Sequence, residues 1–301
     1  MTASTMTKPG ASAWALLFVL GLLWGGSFFF ARIAVAEVPP FTLVFFRLFL
    51  AALALHIFLR GRFGTYPLLR KHWRSFAVLG LINNAIPHTL IFFGQTEIGA
   101  GLAAILNATT PIFTVLIANR FTEDEKLSTA KIVGCLLGLA GTIVLIGPGV
   151  FTSTAAPLWA LILPILAALS YGFAGTYGKR FRGLPAPVTA AGQMTASSII
   201  MLPVMLIADQ PWTLAFPSAT VVGAILALAL LSTALGYLIY FRILALAGAT
   251  YTSLVTLLVP PSAILLGAIF LHERLDVAEV AGMALIGLGL LVLNSMLKIR
   301  R

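Results

Sequence analysis

Long apolar runs alternate with short polar joints along almost the whole chain. A membrane helix needs about 20 mostly apolar residues. Ten stretches qualify, near 13–35, 40–59, 74–94, 98–119, 128–147, 157–178, 186–207, 219–246, 247–271 and 277–297. The joints are short, so consecutive helices are expected as neighbours in one bundle. The pattern also recurs. Phe92-Phe93 answers to Tyr240-Phe241, Ala100-Gly101 to Gly248-Ala249, Glu125 to Glu273 and Gly134 to Gly282, each pair 148 apart. Nearer the front of each half, Gly25 matches Gly172, Arg32 matches Lys179 and Pro40 matches Pro187, at a spacing of 147. The expected fold is an all-α membrane protein with ten transmembrane helices. A polar tail, 1–12, precedes two five-helix repeats, 13–150 and 151–301. Five is odd, so the second repeat enters from the opposite side, which makes the repeat inverted.

Composition agrees with this. The chain is 60% hydrophobic and 9% charged, with a mean hydropathy of +1.04, against about 25% charged residues in soluble domains. The formal charge of +10 does not call for nucleic acid. Arg60, Arg62, Arg70, Lys71, Arg74, Arg120, Lys126, Lys131, Lys179, Arg180 and Arg182 all fall on one side of the expected topology. That bias places both termini in the cytoplasm. The first apolar run is long enough to span, and no small-residue cleavage site is evident after it, so no removed leader is expected. Trp14, Trp73, Trp159 and Trp212 stand at expected helix ends, as interfacial anchors do. Cys135 is the single cysteine, which excludes an internal disulfide and a cysteine metal site. The four histidines lie in different segments, and no HExxH, Walker A or GxSxG run occurs. No metal, cofactor or ATP-driven step is expected.

Polar residues inside spans are costly and are candidates for function. Helix 3 carries Asn83, Asn84, His88 and Thr89. At 100° per residue Asn84 and His88 share a face, where they either line a cavity or bond neighbouring helices. In helix 4, Asn107, Thr109 and Thr110 precede Pro111. Proline lacks an N–H, so the Asn107 carbonyl is expected to be free for a substrate ammonium, unless a neighbouring hydroxyl takes it. Pro260-Pro261 frees the carbonyls of Thr256 and Leu257 by the same argument. Pro111 and Pro260 are the expected hinges for gating. Trp24 and Ser27 in helix 1, Tyr171 and Tyr177 in helix 6, and Tyr237 in helix 8 complete the candidate substrate site. The aromatic rings suit an apolar or aromatic solute or a cationic group, and bonding to backbone in the core is the plainer alternative. Arg47 lies deep in helix 2, where it snorkels outward, ties helix-end carbonyls together or meets a substrate carboxylate; the structural role is favoured, since helix 2 is not expected to line the cavity. No Asp or Glu falls in mid-span, so the cavity fits a zwitterionic or uncharged solute, with His88 the main titratable group. Gly134, Gly138 and Gly141 in helix 5, and Gly282, Gly287 and Gly289 in helix 10, let backbones approach closely. These helices are read as peripheral support or as a homodimer face.

The segments LLWGGSFFFAR and FFRLFLAALAL, with the paired ends FTEDEKL and FLHERL, resemble the drug/metabolite transporter superfamily. The resemblance is to its EamA-type ten-helix exporters, YddG-like amino-acid exporters among them, and it covers about residues 14–297. It implies an inner-membrane location, a central cavity built by helices 1, 3, 4, 6, 8 and 9, and alternating access. FTEDEKL departs from the pattern in being longer and more acidic than FLHERL. The expected function is secondary export of aromatic and other neutral amino acids, or of related small metabolites. The partners expected are that small-molecule substrate and the lipid bilayer. Export of drugs or other metabolites is the alternative within the class. A membrane enzyme or scaffold would need a polar catalytic pair at one interface, and a channel would show single-channel currents.

Overall fold

The computed structural model describes residues 11–146, 156–270 and 277–295. Among them every regular element is helical, which is how a chain satisfies its own backbone in lipid. In order the helices are α1 (Ala11–Ala34), α2 (Pro40–Leu59), α3 (Thr65–Lys71), α4 (Trp73–Gly80), α5 (Ile86–Glu97), α6 (Ala100–Asn107), α7 (Thr110–Phe121), α8 (Thr129–Ile146) and α9 (Leu158–Gly178). They continue with α10 (Ala186–Ala208), α11 (Ala219–Ala227), α12 (Gly236–Ser253), α13 (Val255–Phe270) and α14 (Val277–Ser295). Seven described helical runs are long and apolar enough to cross a membrane. The expected joint between 219–246 and 247–271 is present at Gly248, whose non-helical backbone (φ 84°, ψ 178°) divides α12 into two helical pieces and suits glycine. The caps around Glu273 and most of the 1–12 tail lie outside the described residues.

The bundle is apolar on the outside and polar within. Phe29, Ile57, Phe58, Leu136, Ile199 and Leu291 are exposed, while Arg47, Asn83, Asn84, His88, Gln95 and Asn107 are buried. That inversion is what a lipid solvent selects. Prolines open equivalent helices in the two halves. Pro40 starts α2 and Pro187 lies in the first turn of α10, where a missing N–H costs nothing. Packing follows the same correspondence. α2 lies on α10, α8 on α14, α1 on α13 and α9 on α7. At the α8–α14 seam a Cβ on Gly141 would sit 2.7 Å from the Ile286 nitrogen, and one on Gly289 would sit 2.7 Å from the Gly134 oxygen. Gly141 and Gly289 are therefore taken up by contacts within the chain, while Gly287 has no neighbour within 4 Å of its Cβ position.

Two features were not visible in the sequence. Leu81–Ala85 and Leu228–Leu235 are π-helical, inserted between α4 and α5 and between α11 and α12. They begin 147 residues apart, the spacing of the repeat. A π turn leaves backbone carbonyls short of partners, and side chains supply them. Ser170 Oγ donates to the Ile82 carbonyl at 2.6 Å, Tyr237 Oη to that of Asn83 at 3.1 Å, and Trp24 Nε1 to that of Ser232 at 2.9 Å.

Candidate substrate cavity

Polar residues of several helices converge on the bundle centre, Asn83 being the one that a π segment contributes. A cavity of about 60 Å³, measured as the space open to the centre of a water molecule, lies there. One water needs roughly 10–15 Å³ on that measure, so the cavity holds several waters. Trp24, Ser27, Phe28, Asn83, His88, Asn107 and Thr110 of the first half line it together with Tyr171, Tyr237, Tyr240, Ser253 and Thr256 of the second. The walls come from α1, α5 to α7, α9, α12 and α13, with one addition from α2, Arg47.

Most of the expected site residues meet here. Trp24, Ser27, His88, Asn107, Thr110, Tyr171, Tyr237 and Thr256 all line the cavity. Trp24 stacks on Tyr240 with ring centres 5.7 Å apart, and Tyr237 stands at the same distance from it. The Trp24 N–H donates to the Ser232 carbonyl, the backbone alternative for this ring. His88 lies parallel to Phe92 and edge-on to Tyr171. Its Nδ1 and the Asn107 Oδ1 have no partner among the described residues. Gln95 Oε1 on the same wall is likewise unpartnered, and since buried polar atoms are nearly always paired, these atoms are open to a water or a guest in the cavity.

Two expected residues fall elsewhere. Asn84 donates to Ser197 Oγ at 2.9 Å, on the α10 side. Asn83 reaches the cavity in its place, because the π turn advances the register against the 100° step. Tyr177 lies at the Lys/Arg-rich end, under the Arg180 guanidinium at 4.6 Å and beside Phe181.

The helix breaks also differ from expectation. In the first half the break spans Ala108 and Thr109, just before Pro111 in the first turn of α7. The Asn107 carbonyl is not free, since Thr110 Oγ1 donates to it at 2.6 Å. In the second half the break is at Leu254, and Pro260 and Pro261 lie inside α13. Hydroxyls explain the shift. Thr252, Ser253 and Thr256 donate to the carbonyls of Gly248, Thr250 and Ser253, offering the backbone alternatives to its own ladder. Pro111 does not line the cavity, and neither does Pro260.

Two groups left out of the expected substrate site complete the picture. The first is Arg47. The second is a carboxylate lock below the cavity at the Lys/Arg-rich end. Glu125, 1% exposed, accepts from the Ala249 nitrogen at 2.9 Å and the Thr250 nitrogen at 2.8 Å. Lys179 Nζ stands 3.0 Å from the same carboxylate and also pairs with Asp124, which Arg182 meets at 3.3 Å. Burial opposes ionisation of Glu125, but Lys179 and the Thr250 amide outweigh it and hold its pKa below the ordinary 4.5. Ala249 itself lines the cavity, so the lock ties the loop after α7 and the end of α9 to the cavity floor. Its signal in the sequence was the recurrence of Glu125 at Glu273, of Lys179 at Arg32, and the acidic excess of FTEDEKL on a basic side.

A polytopic helical membrane protein with a cavity between two related halves, apolar for the most part and set with a few polar groups, is the architecture of a solute transporter. The EamA-like transporter family model matches the chain twice, over residues 12–147 and 158–295. The chain belongs to that family and is a multi-pass membrane transporter. It is 26% identical over 274 residues to the uncharacterized transporter YoaV of Bacillus subtilis, covering 89% of this chain and 92% of that one. It is 30% identical over 203 residues to the uncharacterized inner membrane transporter YedA of Escherichia coli, covering 67% of this chain and 64% of that one. A protein of Streptantibioticus cattleyicolor named probable terminal-alkyne amino-acid exporter is 25% identical, over 95% of this chain and 94% of its own. A solved crystal structure superposes with a TM-score of 0.75 at 22% identity, over 97% of this chain and 99% of its own, and that likeness carries the fold.

Proposed function

We propose that this EamA-family transporter exports amino acids, aromatic and other neutral ones, or closely related small metabolites across the inner membrane. The observation that carries the reading is the central cavity, shared by both halves, with rings on its walls and unpaired polar atoms at His88 Nδ1 and Asn107 Oδ1. A small solute with an apolar body and a few hydrogen-bonding groups matches that lining. The name of the Streptantibioticus relative points the same way. In this reading ten spans form two inverted five-helix repeats with both termini cytoplasmic. One half rocks against the other around the site, without ATP. The helix breaks beside Pro111 and ahead of Pro260 absorb the change in tilt.

The test is flux of labelled phenylalanine, methionine and threonine in proteoliposomes of the purified protein, with and without a pH gradient. Saturable flux without a gradient is expected, since among the described residues no carboxylate lines the cavity to carry a coupling proton. Flux that requires the gradient would move the proton to His88. Absence of flux for all three, in folded protein, would remove the amino-acid assignment.

A further inference from the structure

Arg47 is the anomaly of the cavity. It lies in the middle of α2, about 10 Å in from the helix start at 1.5 Å per residue, and is 5% exposed. A guanidinium stays charged at any physiological pH and carries five N–H donors. One of them, Nε, donates to Thr233 Oγ1 at 2.8 Å, whose own proton goes to the Leu228 carbonyl at 2.7 Å. This relay fixes the plane of the guanidinium over Phe92, with Cζ 5.6 Å from the ring centre. No other hydrogen bond or ion pair holds the remaining donors among the described residues. The described ion pairs all gather around Glu123, Asp124 and Glu125 at the Lys/Arg-rich end. Glu37 and Asp209 are occupied by Ser218 and Thr42.

A buried charge without a counter-charge is retained at a cost. The fold does not require this one. The position 147 residues on, Met194, is fully buried and apolar in the same helix of the other half. The bundle therefore forms this helix equally well without a cation, and Arg47 is left free for a guest.

We infer that Arg47 is the carboxylate anchor of the substrate site, so that the transported solute is a small monocarboxylate. The inference rests on the export reading above and narrows its substrate class. A carboxylate accepts two parallel bonds from the guanidinium edge left open beside Nε. A single unpaired cation balances one negative charge, so a monoanion fits and a phosphate dianion does not. Across the same cavity the unpaired Asn107 Oδ1 accepts from an amino or amide N–H. The rings of Trp24 and Tyr240 flank the space between, where an apolar side chain fits.

Binding to the purified full-length protein tests this with matched pairs. L-phenylalanine, L-methionine, L-threonine and 3-phenylpropanoate are each compared with the corresponding carboxamide. At least one carboxylate is expected to bind about 10- to 100-fold tighter than its amide. In Arg47→Gln, shown folded by gel filtration and thermal unfolding, that preference should vanish, and Arg47→Lys should keep part of it. Equal binding of acids and amides to the wild-type protein would overturn the anchor while leaving the export reading intact. So would a preference that survives in folded Arg47→Gln. Binding of no probe at all would overturn both. The wild-type series decides the matter even where Arg47→Gln fails to fold.

Discussion

Glu125 is the residue whose removal the structure prices most directly. Its carboxylate takes two amide protons from Ala249 and Thr250 and faces Lys179. Glu125→Gln keeps one carbonyl oxygen, turns an NH₂ towards the second amide, and removes the charge. Hydrogen bonds to ionised groups contribute about 1.5–3 kcal/mol each, and breaking a buried ion pair costs about 3–5 kcal/mol. Lys179 keeps Asp124 as a partner, so the lower end applies, and roughly 3 kcal/mol is expected for the lock. At about 1.4 kcal/mol per decade that is on the order of a hundredfold in the equilibrium between locked and unlocked states.

The assay reads accessibility. Cys135 is the single native cysteine, so a Cys135→Ser background carries one reporter, Ser253→Cys, on the cavity wall. A membrane-impermeant thiol reagent is applied from the Lys/Arg-rich side. Glu125→Gln should raise the labelling rate at least tenfold, and Lys179→Gln should raise it in part. The double variant should add little, as expected for two members of one contact. Unchanged labelling in folded Glu125→Gln, or full additivity with Lys179→Gln, would refute the lock.

The same lock fixes a pH dependence. The Glu125 pKa is lowered in the folded chain, so its stabilisation is present above the ordinary value of 4.5 and is lost as pH falls through the folded value. The labelling rate divided by the reporter's thiolate fraction should stay flat from pH 5 to pH 8 and rise only in stronger acid. Asn84→Ala removes the bond to Ser197 Oγ, whose own proton still goes to the Gln193 and Gly80 carbonyls, and should lower thermal stability by about 0.5–1.5 kcal/mol with substrate affinity unchanged, whereas Asn107→Ala should weaken affinity at nearly constant melting temperature. Gly141→Ala drives a Cβ to 2.7 Å from the Ile286 nitrogen and 2.9 Å from the Gly282 oxygen. Neither backbone atom can turn aside, so a loss of about 1–3 kcal/mol is expected on thermal unfolding. Gly236→Ala places a Cβ 2.8 Å from Trp24 Nε1 and should disturb the Trp24–Ser232 bond, visible as a shift in tryptophan fluorescence.

Much of the bundle was readable because lipid leaves few options. Apolar runs of spanning length have to be helices, and a recurrence at 147 or 148 residues has to be two copies of one unit. Pairing Arg32 with Lys179 and Pro40 with Pro187 needed nothing beyond spacing. The cavity was readable in part, since buried Asn, His and Thr residues are too costly in a membrane to be idle. Errors arose where helical regularity fails. The 100° rule chose Asn84 over Asn83 because no residue in Leu81–Ala85 announces a π turn. Proline was a correct marker of a break in the first half, but in the second the hydroxyls of Thr252, Ser253 and Thr256 relocate the break to Leu254. Arg47 was set aside because its helix was not expected to reach the cavity, and one long side chain is enough to do so.

The departures from symmetry carry more of the chemistry than the symmetry does. The π segments, the breaks and the proline starts recur in both halves, so they belong to the scaffold that both copies share. Arg47 answers to buried Met194, and His88 to Leu235 at the same spacing of 147. A shared scaffold cannot specify a solute, because a guest with a carboxylate at one end and an apolar body has no twofold axis of its own. The groups that tell the two ends of such a guest apart therefore have to differ between the halves. Arg47, His88 and Asn107 all lie in the first, opposite Tyr171, Tyr237 and Tyr240 of the second. Rings line the cavity from both copies, Trp24 and Phe28 among them, and the second copy adds the hydroxyls of Ser253 and Thr256, so it is the placing of the cation and the imidazole on one side that suits an asymmetric solute.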